Sequence, residues 1–394
     1  MPHACAIRAF RKVPDPREHT IVKTRQVLLI ASAAWGLEGG LERFNRRVLR
    51  CLSDMVRSSR LSRVMAVVHF EHEDRAGRYP PGVAFTPGRA SVPRTLAAFA
   101  RLALTSRPDV ILFGVVSFAS LLPLAALLSP RSRRILIVHG IEVWRRPSPW
   151  RRWAVSRFAT EIVSVSRFTV RRMCDMYGIG EDRFRILPNA VDVSVTGTPA
   201  GPPGPAPAGD HRLFTVSRLG EPDRYKNVDK IILALPAILE SYPGTHHYIV
   251  GTGSLLPELQ ELARETGVAD HVHFMGTVDD ATKEALYASS DIFVLPSTGE
   301  GFGIVFLEAW RYGMPVICSD RDAASEVVRD GVDGFCVPPE PGRIAASVLS
   351  LLADPALRRS MGAAGRQRLH ERYSHERFHQ ALGRIVLGDE PCAG

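Results

Sequence analysis

Two glutamates, Glu300 and Glu308, stand eight residues apart in the segment 297–310, S-T-G-E-G-F-G-I-V-F-L-E-A-W. Carboxylates that far apart suit two different polyol groups, a sugar and a ribose, better than they suit one metal ion. Gly301 and Gly303 let backbone come close to a ligand. The unbonded N–H groups of Phe302, Gly303 and Ile304 form the positive end of the helix that follows, where a diphosphate or sugar hydroxyls can be held. Glu300 meets such a ligand from the loop, and Glu308 from about two turns down the helix.

A strand must aim that loop and a helix must receive it. Residues 291–296, D-I-F-V-L-P, predict a short buried strand, and 305–312 predict the helix. The same alternation fills the chain. Apolar strand-like runs at 27–32, 64–69, 110–116, 134–139, 162–165 and 184–187 alternate with amphipathic stretches. Residues 196–209, T-G-T-P-A-G-P-P-G-P-A-P-A-G, cannot form a regular element and make a linker. The alternation then restarts at 213–217, 247–250, 272–275, 292–295 and 315–318. Two such arrays imply an α/β protein of two Rossmann-like domains, with parallel sheets facing each other across a cleft. The expected division is a loose extension over 1–24, a first domain over 25–195, the linker 196–209, a second domain over 210–375, and a last helix within 376–394. Residues 110–128 carry no charge and have the length of a membrane span. They are read as a buried strand, a turn and a buried helix interrupted early by Pro123.

Composition narrows the function classes. With 394 residues, 45% of them hydrophobic and 23% charged, the chain is an ordinary globular one of two domains. Six scattered cysteines without a C-x-x-C pair predict reduced thiols in a cytosolic protein, with no disulfide framework and no zinc site. The first 24 residues lack the apolar core of a secretory signal. Residues 1–209 hold 32 lysines and arginines against 15 acids, and residues 210–394 hold 18 against 26. A basic half implies an anionic partner, such as a lipid surface or a phosphorylated acceptor. Nucleic acid is not expected, because no recognised binding module accompanies the charge. Within that half, Phe44, Val48, Cys51, Leu52 and Met55 make the core face of a helix, and Arg43, Arg46, Arg47, Arg50 and Arg57 gather on the other side. Residues 144–153, W-R-R-P-S-P-W-R-R-W, interleave aromatics with cations, as suits anionic headgroups.

The string E-G-F-G-I-V-F-L-E-A, with L-P-S before it and G-M-P-V-I at 313–317 after it, resembles a family signature. It is similar to the E-x(7)-E of retaining, nucleotide-sugar-dependent glycosyltransferases of the GT-B fold, family 4. The resemblance covers residues 27–387. It implies that Glu300 binds donor-sugar hydroxyls and Glu308 the ribose. It also implies transfer on one face of the sugar with retention, the departing phosphate helping to take the acceptor proton, and no metal or other cofactor. The leaving diphosphate develops negative charge, so cations must wait for it. Arg218 and Lys226 lie in S-R-L-G-E-P-D-R-Y-K-N-V-D, which resembles the family's diphosphate clamp; its spacing is longer, and Asn227 stands where glycine is usual.

Other positions follow from the same likeness. Gly39 and Gly40, opening the first long helix, resemble the family's G-G loop, which reaches the leaving phosphate from the opposite domain. Gly251 and Gly253 in I-V-G-T-G-S shape the nucleotide pocket, with Thr252 where the family often has Asp. His139 ends a strand in I-V-H-G-I-E-V-W, a string resembling bacterial polysaccharide mannosyltransferases, and is placed to hold a sugar hydroxyl or orient the acceptor. Val278, Asp280 and Lys283 lie in V-D-D-A-T-K, similar to GDP-mannose-dependent phosphatidylinositol mannosyltransferases. A carboxylate such as Asp280 can accept both adjacent donors of guanine, whereas uracil offers one N–H; an exposed helix-capping pair is the alternative. Two metal-like strings are set aside: residues 69–74, H-F-E-H-E-D, as a solvated loop, and Asp320-Arg-Asp322, since the family needs no metal there.

The resulting expectation is a transferase on the cytoplasmic side of the membrane, moving mannose from GDP-mannose to a lipid-linked or polysaccharide acceptor in bacterial glycan assembly. A transferase using UDP-glucose or UDP-N-acetylglucosamine, or an inactive sugar-nucleotide-binding subunit, are the alternatives.

Overall fold

Strands apolar along their whole length must be covered on both faces, and parallel sheets sandwiched by helices do that. The structure, a computed structural model, describes residues 25–35, 39–72, 77–193 and 209–388. The expected extension over 1–24, and the linker apart from Gly209, lie outside these residues.

The first sheet is built from β1 (Arg25–Ala31), β2 (Leu61–Val68), β3 (Val83–Pro87), β4 (Val110–Phe113), β5 (Arg133–Val138), β6 (Glu161–Ser164) and β7 (Phe184–Ile186). Their order is β3-β2-β1-β4-β5-β6-β7, all parallel. Alternate residues of β1 serve opposite cores. Val27, Leu29 and Ala31 pack with α1 (Gly40–Arg57). Leu28 and Ile30 pack with α2 (Val92–Ser106), α3 (Leu122–Leu128), α4 (Pro149–Phe158) and α5 (Arg167–Tyr177).

The second sheet repeats the plan with β8 (His211–Val216), β9 (Thr245–Val250), β10 (Val272–Gly276), β11 (Ile292–Leu295), β12 (Val316–Ser319) and β13 (Gly334–Val337), in the order β10-β9-β8-β11-β12-β13. Its helices are α6 (Val228–Ser241), α7 (Leu256–Glu265), α8 (Asp280–Ser289), α9 (Ile304–Arg311), α10 (Ala324–Val327), α11 (Pro341–Ala353) and α12 (Pro355–Arg372). In each sheet the strand order reverses beside the first strand, between β1 and β4 and between β8 and β11. A crevice opens at the carboxyl ends of such strands.

The final helix, α13 (His375–Leu387), packs on the first domain. Phe378 meets Phe44 edge-on at 5.5 Å. Its last carbonyls, at Ile385 and Val386, accept hydrogen bonds of 2.8 to 3.2 Å from Arg25 and Arg133, which close the helix end. The chain crosses between the domains a second time near Val191, whose N–H donates to Tyr373 O at 3.1 Å.

Three features differ from the sequence expectation. β3 and β13 are edge strands, short and half-covered, so they lack the long apolar run that marks the others. β4 stops at Phe113, and a tight helical turn over Val116–Leu121 leads into α3. Pro123 lies in the first turn of α3, where its missing N–H costs nothing, so it starts this helix rather than interrupting it. Among the described residues, no helix is long and apolar enough to cross a membrane.

Candidate active site

Loops leaving the carboxyl ends of β8 and β11 are tied together before any ligand arrives. Thr298 N–H donates to Tyr225 O at 2.8 Å, and Asn227 Nδ2 donates to Pro296 O at 2.8 Å. Asn227 has φ +56° and ψ +37°, the left-handed region that glycine enters freely and asparagine tolerates better than most residues. The asparagine that departs from the usual glycine therefore keeps the same backbone.

The two loops meet in an ion pair between Lys226 Nζ and Glu300 Oε1, whose side chains are each only 14% exposed. Burial works against the ammonium, but the Glu300 carboxylate outweighs it and holds Lys226 above the usual lysine range. Beneath the pair lies Asp322. Its Oδ2 accepts from Glu300 N–H at 2.7 Å and its Oδ1 from Ala324 N–H at 2.9 Å, while Ala323 N–H donates to Glu300 O at 3.1 Å. Burial, and then the Glu300 charge, push the Asp322 carboxyl up to about 7. Both Asp322 oxygens are thus committed to backbone. Among the described residues, no cluster of His, Cys, Asp or Glu is placed to hold a metal ion.

Arg218 lies on the same loop, pairs with Asp223 at 2.7 Å and is 76% exposed. With Lys226 it lines one small depression. Gly251 and Gly253 do not face that opening. A Cβ on Gly251 would stand 1.7 Å from Ser217 O, and one on Gly253 would stand 2.1 Å from Leu219 C. Their part is to let the loop after β9 lie directly on the Arg218 loop.

Gly303, at φ +87°, is the residue before α9. Glu308 is the fifth residue of that helix, so it sits about one turn in, not two. Its Oε2 accepts from Tyr287 Oη at 2.9 Å, and its Oε1 pairs with Arg43 of α1 across the interdomain boundary. Burial, and then Glu308, raise the Tyr287 phenol well above its usual pKa and keep it a donor. Phe302 is buried edge-on against Tyr373 at 5.5 Å, leaving only its backbone for a ligand; Ile304 lines the cleft.

The first domain approaches this loop closely. A Cβ on Gly301 would stand 1.8 Å from His139 O, and one on Gly140 would stand 2.5 Å from Gly301 Cα. Gly40, opening α1, would touch Ile304 Cδ1 at 3.7 Å. Gly39 precedes it in extended backbone. His139 is half-buried, edge-on to Phe44, with Nε2 2.8 Å from Gly114 O. A carbonyl can only accept, so Nε2 carries the proton.

On the far side of Glu308, a cavity of about 560 Å³ separates α1 from α8 and α9. Asp280 and Lys283 line it, joined at 2.9 Å, with Asp280 89% exposed; Lys283 holds the Asp280 carboxyl below its usual range. Asp279, not Asp280, caps α8 by accepting from Thr282 N–H. Val278 is half-buried against the core. Arg43, Arg46, Arg47 and Arg50 line the opposite wall. Four arginines of the basic face of α1 are therefore turned towards the cleft, Arg50 remaining exposed at its mouth, while Arg57 lies outside it, 67% exposed and paired with Asp54.

Sequence reasoning brought Glu300, Lys226 and His139 to the cleft but missed Asp322, Tyr287, Gly140 and Glu71. In the loop 69–72, Phe70 and His72 are exposed as expected, but Glu71 is fully buried and accepts from the N–H groups of Ala34 and Trp35, and His69 Nδ1 lies 2.8 Å from Thr95 Oγ1. For Tyr287 a signal existed, since it falls one turn after Lys283 on the same helix.

Two family models match the chain: Glycosyltransferase Family 4 over residues 38–195, and Glycosyl transferases group 1 over residues 204–368. A GDP-mannose-dependent alpha-(1-6)-phosphatidylinositol monomannoside mannosyltransferase of Mycobacterium tuberculosis is 31% identical over 345 residues, covering 82% of this chain and 86% of that relative. A GDP-mannose-dependent monoacylated alpha-(1-6)-phosphatidylinositol monomannoside mannosyltransferase of Corynebacterium glutamicum is 29% identical, covering 75% and 81%. Among solved structures, Anabaena HepE in complex with UDP superposes with a TM-score of 0.72 at 18% identity, over 92% of this chain and 99% of that one. Sucrose-phosphate synthase of Thermosynechococcus elongatus gives 0.71 at 19%, over 92% and 98%.

Proposed function

Because this chain belongs to glycosyltransferase family 4, we propose that it moves mannose from GDP-mannose to a lipid-linked or polysaccharide acceptor, with retention and without a metal ion or other cofactor. The observation that carries this reading is the convergence of His139, Gly140 and Gly40 on the 300–304 loop, beside the Lys226–Glu300 pair. The guanine lies at Asp280 and Lys283, and the ribose takes Glu308 from Arg43. The diphosphate lies over the start of α9 with Lys226 and Arg218, and the sugar reaches Glu300. The bond from the anomeric carbon to the phosphate oxygen breaks, and the acceptor oxygen joins the same face. The acceptor proton passes to the departing phosphate. His139, fixed by Gly114 O, offers Nδ1 to a substrate hydroxyl.

A nucleotide screen by thermal shift tests the donor, since a ligand that binds only the folded chain raises its melting temperature. GDP stabilises the protein more than UDP at equal concentration, Asp280→Asn erases the difference, and chelator leaves transfer unchanged. Preference for UDP would replace mannose with a UDP-linked sugar, and strict manganese dependence would return Asp320 to consideration.

The acceptor reading places the enzyme at the inner face of the plasma membrane. With four of the α1 arginines turned towards the cleft, the surface suited to a leaflet is α4, where Trp150 and Trp153 are 54% and 46% exposed and their rings lie 4.7 Å apart. Arg145, Arg146 and Arg151 accompany them. Trp144 does not take part: its Nε1 donates to Thr169 Oγ1 at 3.2 Å. Each arginine near an anionic leaflet contributes about 1 kcal/mol, fading within a Debye length. Liposome flotation is expected to show binding to anionic vesicles at low salt and none to neutral ones, with loss in a Trp150→Ser/Trp153→Ser variant. Indifference to lipid charge would favour a soluble acceptor.

A further inference from the structure

Arg43, Arg46, Arg47 and Arg50 recur at helical spacing and share one wall of the interdomain cavity. The opposite wall neutralises only part of this charge. Arg43 meets Glu308, Lys283 meets Asp280, and Glu284 lies 3.8 Å from Arg311. Six cations (Arg43, Arg46, Arg47, Arg50, Lys283 and Arg311) and four carboxylates (Asp192, Asp280, Glu284 and Glu308) line the cavity, so positive charge is in excess.

Arg47 is in the most demanding position. Its guanidinium lies 5.7 Å from the centre of the Phe378 ring, and its Nη1 is buried with no hydrogen-bond partner among the described residues. Burial, together with the like charges of Arg50 and Arg43, brings its pKa down to about 10. His375, also on the cavity wall, is held below the usual histidine range by burial and by Arg47. A buried donor without an acceptor, crowded by like charges, is costly, and an anion of matching geometry removes that cost.

We propose that this face of α1 is a binding site for a phosphate group, with Arg47 at its centre and Arg46 and Arg50 beside it. A phosphate offers several acceptor oxygens in a tetrahedron, which guanidinium forks on successive turns of one helix can share. The site shares the cavity with the proposed nucleotide position but lies on the opposite wall, at α1, away from Asp280, Lys283, Ile304 and Glu308; Lys226, Arg218, Glu300 and His139 do not line the cavity. A free phosphate and the phosphodiester of a lipid headgroup present the same chemistry to it.

Calorimetric titration of the full chain with inorganic phosphate tests the assignment, first alone and then with GDP at saturation. One phosphate is expected to bind per chain, and to bind still when GDP is present. Arg47→Met and Arg50→Gln each weaken it about tenfold, the scale of one charged hydrogen bond, and change GDP affinity little. Arg50 is exposed, so its variant carries the test if Arg47→Met does not fold. Competition by glycerophosphoinositol, a headgroup without acyl chains, assigns the site to a lipid acceptor; lack of competition assigns it to a free phosphate. Displacement of phosphate by GDP, or unchanged phosphate binding in both variants, overturns the proposal.

Discussion

Lys226→Ala is expected to lower turnover by about a hundredfold or more, the usual consequence of removing a charge aimed at a transition state. The lysine is held in place by Glu300 and by the ties between its loop and the β11 loop, so little reorganisation is needed when a diphosphate departs. Its loss also leaves Glu300 almost buried without its partner, so a lower melting temperature accompanies the kinetic defect. Lys226→Arg, which keeps the charge but not the geometry, recovers only part of the rate. Arg218→Ala gives a comparable kinetic loss with a smaller change in melting than Lys226→Ala, because Arg218 itself is 76% exposed, although its partner Asp223, 11% exposed, loses its ion pair. Steady-state kinetics on purified, folded variants decide the matter: full activity in either alanine variant would remove that residue from the diphosphate clamp.

Gly301→Ala is expected to cost about a hundredfold in transfer without disturbing either domain. One methyl group would lie 1.8 Å from His139 O, inside any possible contact, and what it meets is backbone that cannot rotate away. The two loops must separate. Displacement of reacting groups by about 1 Å is enough for a loss of that size. The proposed nucleotide position draws mainly on the second domain, so GDP is expected still to raise the melting temperature of the variant. Small-angle scattering should register a larger radius for it than for wild type in the presence of GDP. A variant with wild-type transfer would show that the approach of the two loops is not part of the working state.

The architecture was legible because parallel strands buried on both faces write themselves as uninterrupted apolar runs, as in Val27 to Ala31. β3 and β13 escaped notice because most of their side chains are only partly buried and they carry no sustained apolar run. Glu300 and Glu308 were legible because a glycine loop entering a helix has local grammar. Asp322 was not, since its partner Glu300 lies 22 positions away and only the fold brings its carboxylate under that peptide. The arginines of α1 show the limit most clearly. Helical periodicity says which residues share a face, but not what that face meets. The cleft-facing position of Arg43, Arg46, Arg47 and Arg50 is set by α13 and the second domain, which no periodicity in α1 encodes.

The return of α13 to the first domain has a consequence for synthesis. Phe378, Leu382 and Val386 belong to the same core as Phe44, Leu52 and Met55, yet they are translated only after the entire second domain has left the ribosome. Domains made in sequence generally fold in sequence. Here the first must wait with part of the apolar surface of α1 uncovered until the last helix arrives, and its final closure is a contact spanning more than three hundred positions.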